Sequence, residues 1–187
     1  MCATRIKLTA AQCDYADSAG KRRHEFNRDI GAKDAYGFHG DGLKINLEGT
    51  RAELAVAVAL QVEWIDFSED YHSIVADVGS CYQVRSTTHQ RGNLILHPKD
   101  RDDQVFILVR SHRYPDMEIC GWVYGRDAKQ KKYWVDGKYH PSFSGRECYL
   151  YPASELNPMK TLPREVEDDG RESCSDSREA NTSQANY

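Results

Sequence analysis

The chain has no long hydrophobic run. Its longest near-continuous apolar stretch extends from Leu54 to Leu60, which is far short of the roughly 20 residues that a membrane-spanning helix needs. The first residues also lack the apolar segment of a secretory signal peptide. These two absences predict a cytoplasmic protein that has no membrane partner.

The six cysteines form no CxxC pair, and none stands at helical spacing from a histidine. This pattern argues against a zinc site, which needs closely spaced thiolate or imidazole ligands. Without a secretory signal, free thiols are expected rather than disulfides. Cys81 and Cys120 fall inside predicted strands, where a cysteine is typical of a small core side chain.

The formal net charge of −4 is spread unevenly along the 187 residues. Residues 163–187 hold seven acidic and three basic residues, which leaves the rest of the chain neutral. This tail has almost no large apolar side chains, so burial cannot offset the entropy cost of ordering it. We predict a polar N-terminal segment at 1–45 packed on the core, a folded domain at 46–162 and a disordered acidic tail at 163–187.

Residues 46–64 form the clearest predicted helix, because the run from Leu54 to Leu60 indicates burial nearly all round. Thr50 is placed to cap this helix, and Glu53, three residues later, completes a capping-box pattern. Glu53 also shares a helix face with apolar residues, where an unpaired carboxylate would be costly. A metal ion or a basic residue would supply its partner. Helix capping and metal binding are both open for Glu53, and the two roles are compatible.

Alternating and continuous apolar patterns after residue 71 predict a β-rich region. The predicted strands cover residues 72–77, 81–87, 93–97, 104–110, 117–124 and 147–151, with a helix at 126–134 and a helical turn at 152–156. Residues 1–48 are polar and are predicted to be irregular, apart from a short basic helix at 21–28. Together these elements predict an α/β fold.

The stretch from Asp77 to Arg85 brings a carboxylate, an amide and a guanidinium close together around a tight turn. Gly79 allows the positive φ that such a turn requires. Gln83 and Arg85 point to the same side of the predicted strand, because side chains alternate. Each residue alone is typical of a turn or a half-exposed strand face. With Glu53 upstream, they indicate a divalent-metal site for phosphodiester chemistry.

In this order of helix carboxylate, strand carboxylate and alternating polar residues, the chain resembles the PD-(D/E)XK nuclease superfamily. That family includes restriction endonucleases and many phage or prophage nucleases. Glu53 matches the helix Glu of the family and Asp77 its Asp, while Gln83 and Arg85 occupy the positions of its Glu-x-Lys. The resemblance extends over residues 45–160 and implies a restriction-endonuclease-like core, a mixed central β-sheet flanked by helices.

Phosphodiester cleavage needs charge neutralisation at the phosphate and an activated water, and a bound Mg²⁺ or Mn²⁺ supplies both. Mg²⁺ is usually held by one or two carboxylates with waters and substrate oxygens. Glu53 and Asp77 meet that minimum, and the amide oxygen of Gln83 adds a neutral ligand. Arg85 stays protonated and cannot act as a general base, but its guanidinium can clamp the phosphate and stabilise developing charge.

Several basic residues suit a nucleic-acid groove beside this site, because lysine and arginine contacts to phosphate give salt-dependent affinity. The candidates for DNA contact are Arg51, His89, Arg91, Lys129, Lys131 and Lys132. The three lysines are interleaved with Tyr133 and Trp134 on the predicted helix at 126–134. A solvated helix face accounts for these lysines as well.

Three hypotheses about function follow. The first is a small metal-dependent nuclease that hydrolyses DNA. The second is a protein of the same fold that has lost catalysis through Gln83 and Arg85 and binds nucleic acid or a protein partner. The third is an unrelated α/β interaction protein whose acidic tail recruits a partner.

Overall fold

The structure is a computed structural model and describes residues 3–31, 41–66, 76–141 and 150–156. Its elements are β1 (Thr4–Lys7), α1 (Ala10–Asp29), α2 (Gly42–Leu60), β2 (Tyr82–Thr87), β3 (Val105–Arg113), β4 (Asp116–Tyr124), α3 (Gly125–Ala128), β5 (Trp134–Val135) and β6 (Lys138–Tyr139). Short 3-10 turns cover Lys131–Tyr133 and Ala153–Glu155. None of the described helices combines the length and apolar character needed to cross a membrane.

The four longer strands form one mixed sheet in the order β1-β4-β3-β2. Strands β2 and β3 are parallel, whereas β4 runs antiparallel to both of its neighbours. The two short strands β5 and β6 form a separate antiparallel hairpin. Helices flank the mixed sheet, which confirms the predicted α/β class; the finer restriction-endonuclease-like assignment stays a prediction.

The two faces of the sheet bury different clusters. One face packs against α2, and α1 joins the same cluster, which includes Val84 and Ile107 from the sheet and Val56 from α2. The other face carries a smaller cluster made of Leu94, Leu96, Phe106, Leu108, Val123, Ala128 and Leu150. Because side chains alternate along a strand, Gln83 and Arg85 lie on the face opposite α1 and α2.

Most of residues 3–31 and 41–48 form regular elements, so the predicted irregularity of residues 1–48 is wrong there, while residues 1–2 and 32–40 lie outside the described residues. Strand β1 pairs with β4 in the central sheet, and α1 packs along α2. The predicted basic helix at 21–28 is the second half of α1, which begins with a capping box between Thr9 and Gln12. The full length of α1 was not predicted, because its buried face consists of small residues, Ala16, Ala19 and Gly20. Such residues give only a weak hydrophobic periodicity.

The predicted cap at Thr50 is also wrong, because α2 begins at Gly42. The Oδ1 atom of Asp41 accepts hydrogen bonds from the backbone N–H groups of Leu43 and Lys44, at 3.0 and 3.3 Å. Thr50 is therefore inside the helix, where its hydroxyl donates to the carbonyl of Asn46 at 3.0 Å. The capping-box role predicted for Glu53 disappears with that helix start.

Further along the chain, the strands predicted at 81–87, 104–110 and 117–124 are confirmed as β2, β3 and β4. Residues 93–97 form no strand, and only Leu96 makes an isolated bridge, with Tyr139. The helical turn predicted at 152–156 is confirmed as a 3-10 turn. The tail at 163–187, and most of the strands predicted at 72–77 and 147–151, lie outside the described residues.

The predicted helix at 126–134 is wrong, because α3 ends at Ala128 and the β5–β6 hairpin follows. The two residues that connect the hairpin strands are Asp136 and Gly137, with φ of 47° and 82°. Asp-Gly is a favoured pair for a two-residue hairpin turn, in which both residues need positive φ. The Asp-Gly pair was present in the sequence, and its preference for a hairpin turn outweighs the helical spacing of the lysines.

Candidate metal site and nucleic-acid surface

Glu53 is buried on α2 and is held by two other side chains. Nη1 of Arg23, on α1, donates to Oε1 at 2.7 Å, and Nη2 donates to Oε2 at 2.9 Å. The indole Nε1 of Trp64 also donates to Oε2, at 3.3 Å. The partner that the buried carboxylate requires is therefore an arginine.

Sequence reasoning missed Arg23 as this partner. A signal for it exists, because Arg23 follows Ala19 and Gly20 at the spacing that keeps residues on one helix face. Both small residues are buried against α2. An arginine on the buried face of a helix needs a carboxylate on the helix it packs against, and α2 offers Glu53.

Asp77 lies immediately before the turn that leads into β2. Its backbone N–H donates to the carbonyl of Tyr82 at 2.9 Å, and its Oδ2 accepts from the backbone N–H of Val84 at 2.7 Å. Burial raises the pKa of Asp77 to about 6, and repulsion from Glu53 adds to the rise. The hydrogen bond from Val84 and the charge of Arg85 act against this rise. Asp77 and Glu53 therefore lie within electrostatic range of each other.

Gln83 and Arg85 do not join the Glu53 face. The guanidinium of Arg85 lies 5.3 Å from the ring centroid of Phe106, which belongs to the cluster on the opposite face. Its Nη2 pairs with Oδ1 of Asp100 at 3.3 Å. Of the four residues predicted for the active site, Glu53 and Asp77 lie within electrostatic range of each other. Alternation along β2 directs Gln83 and Arg85 to the face opposite Glu53, although the charge of Arg85 still acts on Asp77.

This donor set does not fit a bound Mg²⁺ or Mn²⁺. No group of three His, Cys, Asp or Glu side chains in the described parts of the chain is arranged to hold a metal ion. A cation that used both oxygens of Glu53 would have to displace the guanidinium of Arg23 and the indole N–H of Trp64. The positive charge of Arg23 would also oppose the approach of a divalent cation.

Two of the residues predicted to contact DNA are engaged within the protein. Arg51 forms a double hydrogen bond with Asp17, at 2.6 and 2.9 Å, and its guanidinium lies 4.1 Å from the ring centroid of Tyr114. The ammonium of Lys129 lies 2.8 Å from a carboxylate oxygen of Asp102. Their charges are therefore largely neutralised by neighbours.

The other four candidates lie at the surface. His89 and Arg91 are exposed in the loop after β2. Lys131 and Lys132 are exposed in the 3-10 turn that leads into the β5–β6 hairpin. The structure separates these two pairs in sequence and in secondary structure.

Sequence reasoning missed two lysines, Lys138 in strand β6 and Lys99 in the loop before β3. The pKa of His97 is lowered first by burial, and then by the positive charges of Lys138, Arg85 and Lys99, against the opposing charge of Asp100. Lys138, Arg85 and Lys99 therefore all lie within electrostatic range of His97. Lys138 has a sequence signal, because it follows the Asp-Gly turn, and its cross-strand partner in the hairpin is Val135.

The match to the nuclease superfamily rests on four positions, of which the structure brings two together. The resemblance therefore stays a prediction. Comparison of the chain with family models, with curated proteins and with solved structures finds no match.

Proposed function

We propose that this chain binds nucleic acid and does not cleave it, as a nuclease-like protein whose metal site has been replaced by an ion pair. The observation that carries the proposal is the pairing of Glu53 with Arg23. The carboxylate that would be the helix ligand of a metal already has both oxygens engaged by a guanidinium.

The energetics of this pair favour its persistence over metal binding. Two parallel charge-assisted hydrogen bonds are among the stronger polar interactions in proteins. Removing one partner of a buried pair typically costs about 3–5 kcal/mol, because a buried charge is left uncompensated. A divalent cation would have to offset that cost with Asp77 as its second carboxylate, and the raised pKa of Asp77 lets a proton compete with the cation below about pH 6.

The binding part of the proposal rests on exposed cations. Lys131, Lys132, His89 and Arg91 are the predicted phosphate contacts that remain at the surface, since Arg51 and Lys129 pair with carboxylates. Backbone phosphates need only such accessible cations, without a metal ion. The second hypothesis from the sequence is therefore the one that the described residues support best.

The test separates binding from cleavage. Labelled DNA and RNA oligonucleotides are mixed with the full chain, first with EDTA and then with Mg²⁺ or Mn²⁺. We expect binding in EDTA that weakens as salt rises, and intact oligonucleotide with either metal. Metal-dependent cleavage that disappears in the Asp77→Ala variant would overturn the proposal and favour a nuclease. Neither binding nor cleavage would favour a protein-interaction role.

A further inference from the structure

The β5–β6 hairpin exposes a tryptophan. Trp134 is 43% exposed, whereas the other two tryptophans, Trp64 and Trp122, are 7% and 4% exposed. Exposure of so large an apolar ring leaves a flat surface available to a partner. Aromatic side chains of this kind are typical contact residues when they stand on a firm support.

The support of this indole is firm. Trp134 faces Tyr139 across the hairpin, with ring centroids 4.7 Å apart and an interplanar angle of 67°. Tyr139 in turn exchanges two backbone hydrogen bonds with Leu96, both 2.9 Å long, and Leu96 is fully buried. Tyr133, immediately before Trp134, is also buried. These contacts hold the hairpin that carries the indole, which reduces the entropy lost on binding.

Two exposed lysines stand beside the indole in the chain. Lys131 and Lys132 lie in the 3-10 turn that leads directly into Trp134, and both are exposed. Lys138 pairs with Val135 across the hairpin, so its side chain lies on the face opposite Trp134. A flat aromatic ring next to two exposed lysines matches a ligand with flat rings and negative charge.

We propose that Trp134 stacks on an unpaired base of a single-stranded nucleic acid while Lys131 and Lys132 contact its phosphates. The inference rests on the proposed function, since it specifies the surface and the strandedness of the nucleic acid. Bases in a duplex are stacked on one another and offer no free face, whereas each base of a single strand does. Lysines alone would not distinguish the two forms, because both carry phosphates.

The experiment measures affinities by fluorescence anisotropy with the full chain in EDTA. The probes are oligothymidylate, oligouridylate and a DNA duplex of the same length. We expect both single strands to bind more tightly than the duplex, and Trp134→Ala to weaken single-strand binding about tenfold or more. Trp134→Phe keeps a stacking ring and should keep most of the affinity. The DNA and RNA arms show whether the sugar contributes.

A matched control comes from another exposed aromatic residue. Tyr15 on α1 is 45% exposed and packs edge to face on Trp64, with ring centroids 5.4 Å apart. Tyr15→Ala should leave all three affinities unchanged. Quenching of tryptophan emission by oligothymidylate in the unmodified protein, lost in Trp134→Phe, gives a readout that needs no alanine variant to fold.

The two proposals fail in different ways. Binding of single strands and duplex with equal affinity, unchanged in Trp134→Ala, would overturn stacking but leave the nucleic-acid function intact. Absence of binding to every probe would overturn both proposals. Equal losses in Trp134→Ala and Tyr15→Ala, without quenching in the unmodified protein, would also overturn stacking at this hairpin.

Discussion

Arg23 and Glu53 join α1 to α2 through two parallel hydrogen bonds, at 2.7 and 2.9 Å. Their side chains are only 13% and 7% exposed. Solvent screens such a pair weakly, in contrast to ion pairs at the surface. The same contact that ties the two helices together occupies the carboxylate at the predicted metal position, so helix packing and the loss of a metal ligand have one cause.

Breaking this pair from the Arg23 side should destabilise the protein strongly. Arg23→Met leaves the Glu53 carboxylate buried without its main partner, and we expect a loss of about 3–5 kcal/mol in the free energy of unfolding. Urea denaturation measures the change. The double variant Arg23→Met/Glu53→Leu should recover much of this loss, because no uncompensated charge remains.

A surface ion pair on the same helix provides the control. Arg28 and Asp29 lie 3.3 Å apart with side chains 67% and 68% exposed. Arg28→Met should change stability by no more than about 0.5 kcal/mol. Equal losses in Arg23→Met and Arg28→Met would contradict a structural role for the buried pair.

Asp77 should make stability depend on pH in an unusual direction for a carboxylate. Its folded pKa of about 6 lies above the ordinary value of 3.8, so the native state binds more protons than the unfolded state between these values. The stabilising contribution of Asp77 to the free energy of unfolding is therefore present at low pH. It falls as pH rises through that window, and above the window it no longer changes. The Asp77→Asn variant lacks this loss and can still accept the hydrogen bond from Val84.

The measurement is the difference in unfolding free energy between Asp77→Asn and the unmodified protein, followed from pH 4 to pH 7. We expect this difference to shift in favour of the variant by about 2 kcal/mol from pH 4 to pH 7, because a pKa unit is worth about 1.4 kcal/mol and the first part of the change falls below pH 4. Asp103→Asn is the control, because the pKa shift of Asp103 has the opposite sign. The Arg101 side chain lowers the pKa of Asp103, so that variant should gain nothing as pH rises. A pH-independent difference for Asp77→Asn would contradict burial as the cause.

Two glycines at the α1–α2 contact should respond oppositely to alanine. A Cβ on Gly20 would lie 2.9 Å from the Thr50 hydroxyl oxygen and 3.0 Å from the Cα of Leu47, so the helices would have to separate. We expect Gly20→Ala to destabilise by about 1–3 kcal/mol. On Gly49, inside α2, the nearest atom would be Oε1 of Glu53 at 3.8 Å, and Gly49→Ala should stabilise by about 0.5–1 kcal/mol. Thermal unfolding of both variants checks the contrast, and a stable Gly20→Ala protein would contradict close helix packing.

A strand of the sheet was predictable where the residues of its own segment show the pattern of a strand. The run from Val105 to Val109 is apolar throughout, as expected for a strand buried on both faces, and this run is the core of β3. The ion pair of Glu53 was not predictable from its own segment, because it depends on which helix packs against α2. Arg23 lies 30 positions away from Glu53 in the chain, and the pattern of residues around Glu53 does not show that the two are close in space.

The positions of Gln83 and Arg85 could have been inferred. In β2 they alternate with Tyr82 and Val84, and an apolar helix such as α2 packs on the apolar face of a strand. Glu53 on that helix should therefore lie across the sheet from Gln83. The motif match treated four residues as one site, whereas the period of the strand already divided them between two faces.

Salt dependence should identify which lysines contact phosphate. For single strands, each phosphate contact contributes about 0.7 to the slope of log affinity against log salt concentration. Lys131→Ala and Lys132→Ala should each lower the slope by about that amount. Lys21, exposed on α1, supplies the matched control, and Lys21→Ala should leave the slope unchanged. An equal reduction in all three variants would mean that the strand is held by the diffuse charge of the protein, because a contact confined to the hairpin cannot involve a lysine on α1.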